Sequence, residues 1–311
     1  MAKPHIAILG GGAMGCLFGA GLFEAGCDVT LIVRTEESAA VIRENGIRLD
    51  SPDGNTRTVT GIAATADYAA AAGASAVLVL VKASATEIAA KSLAPHLTAN
   101  TLVVTLQNGL GNVEVLCNHL PPAQVAAGIT GNGAINLGTG HIRLGGTAQT
   151  VLGEMRGGPS ARLEELCVLL MKARFPTRVS ENISGALWTK LMVNVGLNPV
   201  SALTGFRNGR IATDPEAFSI AAAAVREAAA VAEASGIRLE TDDPVAHMRL
   251  VAEKVAANET SMLQDLRAGR MTEIEVMNGE IERRGKALGV PAPVNATLAS
   301  LVRLRQIARP V

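Results

Sequence analysis

The run "IAILGGGAMGCLFGAGL" (residues 6–22) constrains this chain more than any other stretch. "HIAILG" (5–10) reads as a buried strand, and "AMGCLFGAGLFEAG" (13–26) as a helix closed by Gly26. Between them Gly10, Gly12 and Gly15 form G-x-G-x-x-G. At such a junction the first glycine permits a tight turn, the second lets backbone approach a pyrophosphate, and the third lets helix pack on strand. The helix N-terminus, with Ala13 and Met14 between the glycines, then offers amides and partial positive charge to phosphates. A glycine-rich structural turn is the competing reading; the position inside a β-α-β unit favours a dinucleotide cradle.

The chain downstream keeps that pattern. "DVTLIVR" (28–34), "SAVLVLVK" (75–82) and "TLVVTLQNG" (101–109) are further apolar, β-branched runs suited to parallel strands covered on both faces. "IRLDSPDGNTRTVTG" carries a turn at Asp53-Gly54, and "AINLGTGHIRLGGTAQTVLG" alternates with glycine turns; both read as antiparallel additions at the sheet edge. From about residue 182 alanine, leucine and glutamate dominate and strands vanish. Asp214-Pro215 and Asp243-Pro244 read as N-cap and first-turn pairs, and Gly289 as a helix stop. The fold class is therefore α/β: a Rossmann-type dinucleotide-binding domain over residues 1–180, then an all-α domain over 181–311 that carries substrate and catalytic groups.

Charge excludes some partners. Lys+Arg and Asp+Glu both number 28, so no global field favours nucleic acid or an anionic membrane. The start, "MAKPHIAILGG", is too short an apolar run for a signal peptide or a spanning helix, and no later run reaches about 18 uninterrupted apolar residues. A cytoplasmic protein is expected; monomer and homodimer both stay open, since no heptad or isolated apolar stripe points to a partner. Cys16, Cys27, Cys117 and Cys167 lie far apart with no metal-ligand spacing, and read as buried free thiols.

The second strand ends at Arg34 rather than at the Asp or Glu that holds the ribose hydroxyls of NAD, and a guanidinium there suits a 2′-phosphate; NADP(H) is expected. The alternatives are a solvated arginine, with Glu36 or Glu37 as the acidic residue. Lys82 and Gln107-Asn108-Gly109 follow two strands at the end where such sheets bind ligands. Each also has a bland reading, as a lysine reaching solvent and as an Asn-Gly turn. In "GALWTKLMVNVGLNPVSALTG" (185–205), Lys190, Asn194 and Asn198 recur every four residues and share one helix face. Three polar groups in line within an apolar segment are costly to bury without partners, and a ligand is one such partner. Pro199 suggests a helix end or kink after Asn198.

In order along the chain, "GGGAMG", Lys82, "LQNGLGN", "WTKLMVNVGLNP" and "NETSMLQDLRAGRMTEIEVMNG" resemble the motifs of the ketopantoate reductases (2-dehydropantoate 2-reductases). The resemblance runs from Gly10 to at least Gly289. It implies NADPH-dependent reduction of a small 2-oxo acid, ketopantoate, to D-pantoate in pantothenate synthesis. It implies Lys190 as the general acid and Glu273 as the group that binds the substrate hydroxyl and positions that lysine. Asn194, Asn198, Asn258 and Ser261 would contact the substrate, and Lys82 and Asn108 the coenzyme, with Asn108 also facing substrate. From residues alone Glu273 falls within an amphipathic helix, "TEIEVMNGEIERRGKALG", and Asn258 and Ser261 read either as one helix face or as caps.

Three rivals remain open: a reductase of another small 2-oxo acid, a 3-hydroxy-acid dehydrogenase of similar architecture, and a non-catalytic NADP sensor. "QNG" and "SMLQD" argue against the second, and the Lys190 helix face against the third. His5, His96, His119, His141 and His247 occupy no recurring catalytic context, which disfavours a histidine acid.

Overall fold

The structure is a computed structural model that describes residues 3–308. The first two residues of the N-terminal run and the last three of the helical half lie outside the described residues. The chain forms two compact units, residues 3–107 with 112–183, and residues 108–111 with 184–308. The short loop 108–111 packs with the helical unit although sequence places it among the strands.

In the first unit strands and helices alternate: β1 (His5–Leu9), α1 (Ala13–Glu24), β2 (Asp28–Ile32), α2 (Glu36–Asn45), β3 (Ile47–Asp50), β4 (Thr56–Val59), β5 (Ala63–Thr65) and β6 (Ala76–Val79). There follow α3 (Thr86–Leu93), β7 (Leu102–Thr105), α4 (Asn112–Cys117), β8 (Val125–Thr130), β9 (Ala134–Gly138), β10 (His141–Leu144), β11 (Thr150–Gly153), α5 (Ala161–Lys172) and β12 (Thr177–Val179). Eight of the strands make one sheet in the order β12-β11-β8-β7-β6-β1-β2-β5. Neighbours are parallel throughout except β8 and β11. β6 and β7 are buried along their whole length, as their unbroken apolar sequence requires for strands covered on both faces. The α/β class expected from sequence is the one observed. Strand order reverses at β1, whose neighbours β2 and β6 come from successive crossovers, and the glycine turn leaves β1 at that switch point.

The segments expected at the sheet edge do not all lie there. β11 does join the main sheet, but β3, β4, β9 and β10 form a separate four-stranded sheet in the order β4-β3-β10-β9. The reason is physical: β5, three residues long, already occupies the edge beside β2. The hairpins bury one apolar face, Ile47, Leu49, Val59 and Ile142, in the same cluster as Phe18 and Leu22 of α1.

The second unit is helical, with no strand among its described residues: α6 (Ile183–Thr204), α7 (Asn208–Thr213), α8 (Pro215–Ala234), α9 (Pro244–Lys254), α10 (Ser261–Arg267), α11 (Asn278–Leu288) and α12 (Pro293–Ile307). Asp214 and Asp243 cap α8 and α9 by accepting from Ala217 N–H (3.2 Å) and Ala246 N–H (2.9 Å), each followed by proline, and Gly289 closes α11 in the left-handed region. Three expectations need correction. Of the end or kink expected after Asn198, the end does not occur: α6 continues through Pro199 to Thr204. From Val195 to Val200 every residue is buried, so packing holds a turn that proline deprives of a backbone donor. Glu273 is not within a helix; it precedes a short 3-10 turn (Ile274–Val276), and the α-helix starts only at Asn278. Asn258 and Ser261 share no helix face, because Thr260 caps α10 and leaves Asn258 in the preceding loop.

All four cysteines are unbridged, three of them buried and Cys117 partly exposed. Among the described residues no helix is long and apolar enough to cross a membrane, and no group of three His, Cys, Asp or Glu could hold a metal.

Candidate active site

In the first unit the glycine turn is built by close approach. Gly10 has φ +114°, and its N–H donates to Ile32 O at 2.8 Å. A Cβ at Gly15 would lie 1.7 Å from Gly10 O, so the helix can leave the strand this tightly only with glycine there. A Cβ at Gly12 would meet nothing within 4 Å. The first bond of the α1 ladder runs from Cys16 N–H to Gly12 O (2.9 Å), which leaves the amides of Ala13, Met14 and Gly15 ahead of the ladder. Gly12 has no side chain to cap them. Open space before uncapped amides at a helix N-terminus is what a pyrophosphate needs, so the residues present fit a dinucleotide.

Arg34 lies two residues past β2 and is exposed; among the described residues its guanidinium makes no hydrogen bond or ion pair. The acidic alternatives are differently engaged. Glu36 pairs with Arg43 (2.7 Å) and accepts from Ala66 N–H (3.2 Å), and Arg43 holds its carboxyl below the usual range. Lys82 is exposed three residues beyond β6, at the start of a short 3-10 turn.

Gln107 carries a role that sequence left undefined. Its Nε2 donates to Val81 O and to Thr86 Oγ1, both at 2.8 Å, and its Oε1 accepts from Thr105 Oγ1 at 2.9 Å. These buried bonds fix the residue that immediately precedes Asn108. The only hint in the sequence is a polar glutamine directly after "VVTL".

In the second unit Asn108, Lys190 and Glu273 come together. Lys190 Nζ donates to Asn108 Oδ1 at 2.8 Å, and Asn108 Nδ2 donates to Glu273 Oε2 at 3.2 Å. One amide thus spans an ammonium and a carboxylate, its carbonyl toward the cation and its NH₂ toward the anion. The loop is clasped in place. Leu110 N–H donates to Val276 O at 2.9 Å, and Gly109, at φ +80°, allows an approach in which a Cβ would fall 2.3 Å from that same oxygen. Lys190 projects from α6 into partly buried surroundings. Burial pulls its ammonium from 10.5 down to about 8, and the charge of Glu273 opposes that fall. The group is therefore protonated at neutral pH yet readily gives up a proton.

Asn194, one turn on, is half-buried, and its side chain makes no hydrogen bond among the described residues. Asn198 is buried and donates from Nδ2 to Met277 Sδ at 3.4 Å. Asn258 and Ser261 are exposed near the start of α10 and make no side-chain hydrogen bond among the described residues, so the structure does not join them to the trio.

Comparison with known proteins gives a consistent result. The family described as ketopantoate reductase PanE/ApbA matches residues 6–157, and its C-terminal family matches residues 182–306. Among curated relatives, the 2-dehydropantoate 2-reductase of Halobacterium salinarum is 36% identical over 302 residues, covering 97% of this chain and 99% of that protein. That of Archaeoglobus fulgidus is 34% identical, covering 97% and 98%. Among solved structures, a PanE/ApbA family ketopantoate reductase from Ralstonia eutropha aligns with TM-score 0.88 at 35% identity, covering 97% of this chain and 98% of that one. A D-mandelate dehydrogenase solved with NADH and anilino(oxo)acetate also aligns with TM-score 0.88, at 26% identity over 97% and 98%.

Proposed function

This chain belongs to the ketopantoate reductase family, and on that premise we propose that it reduces the 2-oxo group of 2-dehydropantoate to D-pantoate with NADPH. It is an oxidoreductase of a dinucleotide-dependent class. We assign the coenzyme to the first domain, residues 1–180, and the substrate and catalytic groups to the second, residues 181–311, joined there by Asn108, whose loop packs with the helical unit although it falls before residue 180. The amides of Ala13, Met14 and Gly15 would hold the pyrophosphate, Gly10 and Gly12 its approach, Arg34 the 2′-phosphate, and Lys82 and Asn108 the remainder of the coenzyme. Bound NADPH supplies a hydride to the ketone carbon.

The chain's own residues handle the resulting charge and the proton. Negative charge on the former carbonyl oxygen is met by the Lys190 ammonium, which donates a hydrogen bond and then its proton from Nζ. This stabilisation matters most in the transition state, where the charge develops. Glu273 keeps the ammonium charged until then and accepts from the substrate hydroxyl, while Asn108 holds both groups in register. Asn194, Asn198, Asn258 and Ser261 complete the contacts to the substrate carboxylate and hydroxyl. The carrying observation is the Lys190–Asn108–Glu273 chain with an ammonium lowered to about 8. D-Pantoate formed in this way would serve pantothenate and coenzyme A synthesis in the cytoplasm.

A second reading has one specific support. The similar D-mandelate dehydrogenase was solved with NADH and an aryl oxo-acid amide, so the same architecture accommodates a bulkier 2-oxo acid and the other coenzyme. Steady-state assays with ketopantoate, phenylglyoxylate and small 2-oxo acids, each under NADPH and NADH, decide the matter. The highest kcat/KM is expected for ketopantoate with NADPH. A preference for an aryl substrate or for NADH would transfer the assignment to the second reading, and coenzyme binding without turnover on any of them would make the chain a sensor.

A further inference from the structure

The buried Asn278 belongs to no part of the machinery above, and it sits where α6 is weakest. Pro199 has no N–H, so it cannot serve the carbonyl four residues back, which is that of Val195. Asn278, the first residue of α11, donates from Nδ2 to that same Val195 O at 3.0 Å. The geometry points to Asn278 as a positioning residue that replaces the backbone rung missing from α6 and so fixes the angle between the turns bearing Asn194 and Asn198. This inference rests on the reading of α6 as the substrate helix.

The direction of the hydrogen bonds follows from chemistry. Glu227 of α8 accepts from the N–H groups of Val294 and Asn295 and from Asn295 Nδ2, all at 2.9 Å. Asn295 Nδ2 also donates to Ala224 O at 2.9 Å. A carboxylate and a carbonyl only accept, so Asn295 must turn its NH₂ toward them and its Oδ1 away. Asn278 Nδ2 then donates to that Oδ1 at 2.9 Å and to Val195 O. Both asparagines are fully buried. Asn278 Oδ1 has no hydrogen-bond partner among the described residues. A buried acceptor left unmade costs stability that an apolar residue of the same size would avoid. The amide is kept at a cost, and what it provides is its two donors. Met277, the neighbouring residue, receives Asn198 Nδ2 through its sulfur, so the 277–278 junction touches α6 at two points within the turn that leads into the proline.

The missing rung lies between Val195 and Pro199, beyond Lys190 and Asn194 but before the end of the Asn198 turn. Loosening it displaces Asn198 relative to the lysine and affects substrate binding more than proton transfer. The test is a cycle between positions 278 and 199 in the full-length protein, because Pro199→Ala restores a backbone N–H that can serve Val195 O itself. Asn278→Leu is expected to raise KM for ketopantoate about tenfold with kcat within about threefold, and to raise KM by less than about threefold in the Pro199→Ala background. Equal increases in both backgrounds, or an unchanged KM in Asn278→Leu, would overturn the proposal. If Asn278→Leu alone does not accumulate as folded protein, recovery of soluble protein by Pro199→Ala supports the proposal and non-recovery overturns it. The thermal midpoints of the four proteins give the same coupling without any assay: a smaller loss in the alanine background supports the rung, and equal losses oppose it. Absence of turnover in the unmodified protein therefore defeats the functional reading and leaves this test standing.

Discussion

An ammonium drawn down to about 8 has a direct kinetic signature. On the proposed mechanism Lys190 must be protonated for reduction, so kcat should hold level through neutral pH and fall about tenfold per unit above that value. Glu273 is the charge that raises the ammonium against its burial, so Glu273→Gln should move the falling limb to lower pH, read from kcat profiles of the two proteins. A limb that stays in place would mean the carboxylate does not act on the lysine. Lys190→Ala should lower kcat by about 10² to 10⁴ with coenzyme affinity retained, as measured by turnover and by fluorescence titration of NADPH. Lys190 stood out in the sequence as part of an i, i+4, i+8 polar row on a helix, while its assignment as the acid came from the family resemblance. The bridging by Asn108 did not stand out, because its partners are 82 and 165 residues away. Asn278 was silent for a similar reason: its partner is a backbone carbonyl 83 residues distant, and no side-chain pattern marks a carbonyl.

At the level of elements, the glycine turn separates two roles that the bare motif merges. Gly15→Ala drives a methyl into Gly10 O, a backbone atom with nowhere to go, and should cost about 3 kcal/mol of stability. Gly12→Ala places a methyl in open space at a backbone conformation alanine tolerates; stability should stay within about 0.5 kcal/mol while NADPH affinity falls. Denaturant titration and coenzyme titration of both variants test the pair, and similar stability losses in the two would refute the division. The first β-α-β unit and the buried strands were legible because long apolar runs and glycine punctuation are local signals. β5 and β12, at three residues each, carry too little pattern to read, and the second sheet depends on which edge of the first is already occupied. Helix starts at Asp214 and Asp243 were legible from their caps. The passage of α6 through Pro199 was not, since the packing that holds it comes from helices distant in sequence.

For the whole molecule, equal numbers of acidic and basic residues leave anion recognition to local groups, and the proposed preference for NADPH rests on one exposed arginine, Arg34. A coenzyme that binds only the native state at a hundredfold its Kd adds about 2.7 kcal/mol to stability. NADPH should therefore raise the unfolding midpoint more than NADH at equal concentration. Arg34→Ala should erase that difference by weakening NADPH by about 1.5–3 kcal/mol. An equal loss for both coenzymes would remove Arg34 from the selection. The overall class was readable from composition and order of elements, whereas the membership of residues 108–111 in the helical unit was not, because a four-residue loop owes its place to what it touches. That placement has a mechanical result. Asn108 adjoins Gly109, whose backbone is seated on Val276, and Glu273 begins the turn that ends at Val276. The amide and the carboxylate are tied through one backbone clasp, Leu110 N–H to Val276 O, so a shift of the 273–276 turn carries Asn108 with it and keeps the bond between them.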